Sequence, residues 1–243
     1  MFNYKVTLEY DGTLYHGFAK QDIEPTVQGI LEKTLSNILK ENIEINASGR
    51  TDKNVHALGQ VINFKTNVNI TEYGLVKSLN SRLPNDIVVK YAEKVDDNFH
   101  ARYSAKTKTY LYVLNAKSKS AFMRNYETFT FYKLDIEKMK KGIKLFEGKH
   151  DFKSYMSTLS SKLNTVRTIL ETKLYEKNDR IFMEFTGDGF LYNQVRIMVG
   201  ALIELGRGKI ELKDIEDSFK TYSRKVLGKT ADPQGLYLKE VNY

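Results

Sequence analysis

At 243 residues and 28.1 kDa, with 41% apolar content, the chain is long enough for one large domain or two small ones around a sizeable core. It holds no cysteine, which removes disulfides, thiolate zinc sites and thiol nucleophiles. Its four histidines, His16, His56, His100 and His150, lack paired metal-ligand spacing, so no metal is expected. The net charge of +8 and pI near 9.3 suit a polyanionic partner through counterion release. A soluble basic surface accounts for the excess equally well, because much of it is lysine on apparent helix faces, as at Lys138, Lys140, Lys141 and Lys144. No apolar run of about 18 residues exists, and Met1 leads straight into a strand pattern. Neither a membrane span nor a secretory leader is therefore expected, and the cytoplasm is the expected location.

In chain order, Tyr4, Val6, Leu8 and Tyr10 alternate with polar residues as a half-buried strand that ends at Asp11-Gly12. After Pro25, the residues Val27, Ile30, Leu31, Leu35, Ile38 and Leu39 fall on one helical face. Glu44 to Ala47 and Gln60 to Lys65 read as short strands on either side of a loop. A second helix runs from about Glu72 to Arg82 and stops before Pro84, and Ile87 to Val95 closes the unit as a strand. Strand-helix-strand-strand-helix-strand is the ferredoxin-like order.

The pattern recurs. Lys108 to Leu114 reads as a strand, and Ile136, Met139, Ile143 and Phe146 mark a helix ending before Gly148. Thr165 to Tyr175 and Arg180 to Thr186 form a hairpin turning at Lys177-Asn178-Asp179. Phe190 to Leu205 is a strongly apolar helix, Leu212, Ile215, Phe219 and Tyr222 line another, and Gly235 to Val241 is a last strand. The expected fold is α+β, with two ferredoxin-like halves, residues 1–102 and 103–243. Their inner strands are expected to join in one continuous, mostly antiparallel sheet flanked by helices, with a large ligand in the cleft between the halves.

The loop between the short strands carries the chemistry. Gly49-Arg50-Thr51-Asp52-Lys53-Asn54-Val55-His56-Ala57 sets a carboxylate beside a guanidinium among residues that favour turns. Taken alone, the loop is better read as one in which Asp52 hydrogen-bonds its own turn and Arg50 faces water.

With this loop, a series of segments resembles the TruA family of tRNA pseudouridine synthases nearly end to end. They are Tyr10-Asp11-Gly12-Thr13; Gly49 to Asp52 with Val55-His56-Ala57; Phe99-His100-Ala101-Arg102-Tyr103-Ser104-Ala105; and Tyr110-Leu111-Tyr112. The series continues with His150-Asp151-Phe152, Val166-Arg167-Thr168-Ile169, Gly189-Phe190-Leu191, Val195-Arg196, Val199-Gly200, Thr230-Ala231 and Gly235-Leu236. The resemblance implies an isomerase that converts uridine to pseudouridine at positions 38, 39 and 40 of the tRNA anticodon stem-loop, working as a homodimer without cofactor or metal. It marks Asp52 as the catalytic carboxylate and nucleophile, with Arg50 and Arg196 as the guanidiniums that keep it charged.

Tyr110 matches the active-site tyrosine, expected to stack on the extruded uracil. Leu236, Arg167 and His56 are carried over as substrate-binding residues. Such a carboxylate can attack the sugar carbon or steady its positive charge, and residue types alone leave both routes open. Without the resemblance, Tyr110 reads as a core strand tyrosine, Arg196 as a surface arginine at a helix end and Leu236 as strand core. Four residues, Phe18, Lys53, Asn54 and Asp232, depart from the family pattern. Lys53-Asn54 stands for a small residue and glycine, Gly17-Phe18 for glycine-tryptophan, and Asp232 for proline. Asn54 tolerates a left-handed backbone, so the loop is expected to survive.

A paralogue acting on another RNA such as rRNA, and a non-catalytic RNA-binding module, are the competing readings. Metal-dependent phosphodiester cleavage is disfavoured because the motifs contain no carboxylate cluster.

Overall fold

The computed structural model describes residues 1–21, 25–157, 164–222, 224 and 226–243. Among these lie, in chain order, β1 (Phe2–Tyr10), α1 (Val27–Leu39), β2 (Asn46–Ala47), β3 (His56–Thr66), α2 (Glu72–Asn80) and β4 (Ile87–Val95). They are followed by β5 (Thr107–Asn115), β6 (Thr128–Phe129), α3 (Ile136–Lys144), β7 (Gly148–Asp151), β8 (Val166–Lys177) and β9 (Arg180–Gly187). The chain ends with α4 (Gln194–Gly206), α5 (Leu212–Thr221) and β10 (Leu236–Asn242). No described helix is long and apolar enough to cross a membrane. Two compact units form: Met1–Lys106 together with Tyr237–Tyr243, and Thr107–Leu236.

In the first unit the strands run β4-β1-β3, with β1 antiparallel to both neighbours and β2 antiparallel to β3. This is the ferredoxin-like arrangement expected from the element order. β10 lies parallel to the start of β3, with Tyr237 opposite His56 and Leu238 opposite Ala57. That pairing explains why β3 begins at His56 rather than at Gln60. His56 to Gly59 fall before the residues that alternation marks as strand, but pairing with β1 and β10 extends the strand through them.

The alternating Tyr4, Val6 and Leu8 are fully buried, as are Leu31 and Leu35 of α1 and Leu75 and Leu79 of α2. Thr26 and Thr71 start the two helices by accepting from the N–H groups of Gly29 and Gly74. α2 ends at Asn80, two residues before the expected Arg82, because Ser81 and Arg82 close a turn onto Lys77 and Leu79. The Phe99-to-Ser104 segment is held by two buried asparagines that the strand alternation does not reveal. Asn3 Nδ2 donates to the carbonyls of Asp96 and Phe99 (2.8 and 3.0 Å), and Asn63 Oδ1 accepts from the Ala101 N–H at 2.8 Å.

In the second unit the strands run β5-β9-β8-β7, antiparallel throughout, with the short β6 parallel to β5. The hairpin turns at Asn178 and Asp179, both with positive φ (51° and 63°), as the sequence predicts. β6 and β7 have too few residues to show a period. α4 starts at Gln194, not Phe190. Asn193 adopts a left-handed backbone (φ 62°), and Gln194 folds back so that its N–H reaches the Leu191 carbonyl while its Oε1 accepts from the Leu191 N–H. Phe190 and Leu191 are apolar because they pack against the sheet and core, which mimics helix periodicity.

Candidate active-site elements

In the first unit, Asp52 opens a four-residue turn closed by the Val55 N–H on the Asp52 carbonyl (3.1 Å), with Asn54 at φ 63°. Asparagine thus takes the left-handed position that glycine would fill. The preceding residues are clamped. Ser48 Oγ bonds Gln60 Oε1 (2.8 Å), Gln60 Nε2 donates to the Gly49 carbonyl (2.9 Å), and the buried Tyr10 hydroxyl bonds Thr51 Oγ1 at 2.7 Å. Burial pushes the Tyr10 phenol well above its usual range, with the Thr51 and Gln60 bonds only partly opposing it. Asp52 itself is half-buried on this frame.

The first motif, Tyr10-Asp11-Gly12-Thr13, has a structural reason to be there. A Cβ on Gly12 would lie 2.1 Å from the Val55 carbonyl oxygen, and one on Gly17 (φ 95°) would lie 2.8 Å from that of Thr51. Backbone must approach backbone at both points. Phe18 stands where the resemblance leads one to expect tryptophan. It is buried against Tyr10 with ring centroids 6.1 Å apart, and its N–H donates to the Thr51 carbonyl at 3.0 Å. We expect Tyr10→Phe to cost about 1 kcal/mol of stability, the net value of one buried hydrogen bond, measured as a lowered denaturant midpoint.

Arg50 is exposed, and among the described residues its guanidinium makes no ion pair, so the structure does not join Arg50 to Asp52. His56 is 2% exposed and stacks on Tyr237 at 4.8 Å. Its Nδ1 lies 3.0 Å from the Gly12 N–H and 3.1 Å from Asp11 Oδ1, contacts that demand opposite protonation of one nitrogen. The Gly12 amide can only donate, and Asp11 Oδ1 already accepts from the Thr13 N–H and hydroxyl. Nδ1 is therefore assigned as the acceptor.

In the second unit, Tyr110 on β5 is 9% exposed and meets Phe190 edge-on at 4.9 Å. Tyr112, two residues on and on the same face, has its hydroxyl on Thr128 Oγ1 (2.6 Å) and on the Asp232 carbonyl (2.8 Å). Burial raises its phenol, while the Thr128 bond and the Arg196 charge pull the other way.

Arg196, the third residue of α4, donates from Nε to the Ala231 carbonyl and from Nη1 to Asn193 Oδ1, both at 2.8 Å. Its own carbonyl accepts from the Ala231 N–H at 3.0 Å. The Ala231-Asp232 backbone therefore holds both Arg196 and Tyr112, a role that side-chain reading of Thr230-Ala231 does not reveal. Asp232 has φ −63° and ψ 146°, the conformation that proline would impose, so this departure leaves the backbone unchanged. Leu236 is 5% exposed just after the turn Pro233–Gly235. Arg167 on β8 is half-buried, and its Nη1 bonds the carbonyls of Asn164 and Val166. Among the described residues no three His, Asp or Glu side chains converge as a metal site.

Comparison with known proteins finds matches along the chain. The family described as tRNA pseudouridine synthase matches residues 7–104 and 143–243. The chain is similar to tRNA pseudouridine synthase A of an Exiguobacterium species, with 46% identity over 239 residues covering 98% of this chain and 97% of the relative. It is equally similar to the protein of that name in a Thermoanaerobacter species, with 46% identity over 244 residues and 100% of both chains covered. The protein of the same name in Acetivibrio thermocellus is 44% identical over 244 residues, again covering 100% of both.

Proposed function

Because the chain belongs to the tRNA pseudouridine synthase family, whose members are isomerases that turn uridine in tRNA into pseudouridine, we propose that it modifies positions 38, 39 and 40 of the anticodon stem-loop, with Asp52 as the nucleophile. The carrying observation is the Gly49-to-Asp52 motif placed on a clamped turn with the carboxylate at its first position. In this reading the N1–C1′ bond of uridine breaks, the uracil turns, and a C5–C1′ bond forms. The C5 proton leaves and N1 gains one, so nothing is oxidised or lost. The Asp52 carboxylate meets the positive charge that develops at C1′ and is released when the new bond closes.

The 1–102 half brings the carboxylate, Arg50 and His56 to this reaction. The 103–243 half brings Tyr110, which stacks on the uracil, and Arg196, Arg167 and Leu236. Arg196 is carried in the proposal as the guanidinium that keeps Asp52 ionised, and the bonds that fix its head group at the start of α4 suit that role. His56 serves substrate binding from beside the Gly12 backbone, whose N–H donates to it. The acting form is a homodimer in the cytoplasm, and neither cofactor nor metal takes part.

The experiment uses an anticodon stem-loop transcript labelled with tritium at uridine C5. Incubation with the protein in EDTA is expected to release tritium into water at intact RNA length. Shortened RNA, or tritium release that EDTA abolishes, would contradict the reading.

A further inference from the structure

Lys53 lies at the second position of the Asp52 turn, exposed, where the family pattern leads one to expect a small residue. Its ammonium sits 3.0 Å from His16 Nε2. An ammonium has only protons to give, so Nε2 is the acceptor, and two N–H groups of Lys53 remain for another ligand. Among the described residues no carboxylate pairs with Lys53, in contrast to Lys5, Lys90 and Lys117, which are matched to Glu93, Glu9 and Asp179.

His16 is itself held in place. Its N–H donates to the Pro25 carbonyl (2.9 Å), and its carbonyl accepts from Gln21 Nε2 (3.0 Å). A lysine loses rotamer entropy when fixed, so an acceptor that fixes it in the free protein reduces what a ligand must offset. Lys53 is the next residue after Asp52, with their Cα atoms about 3.8 Å apart, so a nucleotide whose ribose lies at Asp52 brings its flanking phosphates to the turn that carries Lys53.

We propose that Lys53, oriented by His16, contacts a backbone phosphate of the RNA next to the uridine being isomerised, and so sets part of the affinity and register. The proposal rests on Asp52 being the catalytic carboxylate. One phosphate contact contributes a slope of about 0.7 for single strands to 0.9 for duplex in log affinity against log salt, or roughly four- to fivefold at 0.15 M salt.

The test measures the Kd and the pseudouridine kinetics of wild type, Lys53→Ala, Lys53→Arg and His16→Ala on an anticodon stem-loop RNA between 50 and 200 mM salt. For Lys53→Ala, Kd is expected to rise roughly fivefold, the salt slope to fall by about 0.7 to 0.9, and the loss in kcat/KM to sit in KM. Lys53→Arg should keep the slope, and His16→Ala should weaken binding by less than Lys53→Ala does. A wild-type salt slope in Lys53→Ala would overturn the contact, as would a loss confined to kcat, which marks a merely structural lysine. Failure of the catalytic reading has a different signature: no pseudouridine from the wild-type protein, whatever the Kd values.

Discussion

Asp52→Ala is expected to lower the rate of pseudouridine formation by at least about 10³-fold while leaving Kd for tRNA within a few-fold of wild type. The scale is that of removing a group whose main interaction is with the transition state. The fold should tolerate the change. The turn is closed by the Asp52 backbone carbonyl, not by its carboxylate, and its anchors are Ser48, Thr51 and Gln60. Rate, RNA affinity and melting temperature measured on one preparation check this. A rate within tenfold of wild type would remove Asp52 from the chemistry, and a matching collapse of Kd would make it a binding residue.

Tyr110→Ala is expected to lower kcat/KM by about 5- to 150-fold, the equivalent of the 1 to 3 kcal/mol that stacking one base on an aromatic ring contributes. The ring also packs edge-on to Phe190, so the truncation leaves a cavity and lowers stability. Assays therefore belong well below the melting temperature of the variant. Tyr110→Phe separates the two parts of the side chain. It keeps the ring and the Phe190 contact, and any loss should appear in kcat through the missing hydroxyl. Unchanged kcat/KM in Tyr110→Ala would leave Tyr110 as a core tyrosine of β5.

Periodicity makes the long elements legible: β1, α1, β4, β5, α3 and the β8–β9 hairpin lie where alternation, helical spacing and turn residues place them. It fails where burial has another cause. Phe190 and Leu191 extend the apolar pattern of α4 into a turn, because they pack on neighbours while Asn193 breaks the helix. His56 and Ala57 lie ahead of the alternating run at Gln60 yet belong to β3, because pairing with β1 and β10 is a long-range fact.

The candidate site divides in the same way. Asp52, Tyr110 and Arg196 are readable as motif positions, whereas part of what supports the site is backbone. The carbonyls of Ala231 and Asp232 and the close approaches at Gly12 and Gly17 leave little trace in residue type. The Lys53–His16 contact joins residues far apart in the chain, and neither one signals the other.

Pseudouridine mapped at nucleotide resolution in total RNA, from cells with the protein, without it, and without it but carrying Asp52→Ala, tests the central claim most directly. The expected result is loss of pseudouridine at tRNA positions 38, 39 and 40 in the deletion, restored by wild type and not by the variant. Those positions staying modified in the deletion, with losses confined to ribosomal RNA, would contradict it, and so would their loss in the deletion followed by restoration with Asp52→Ala.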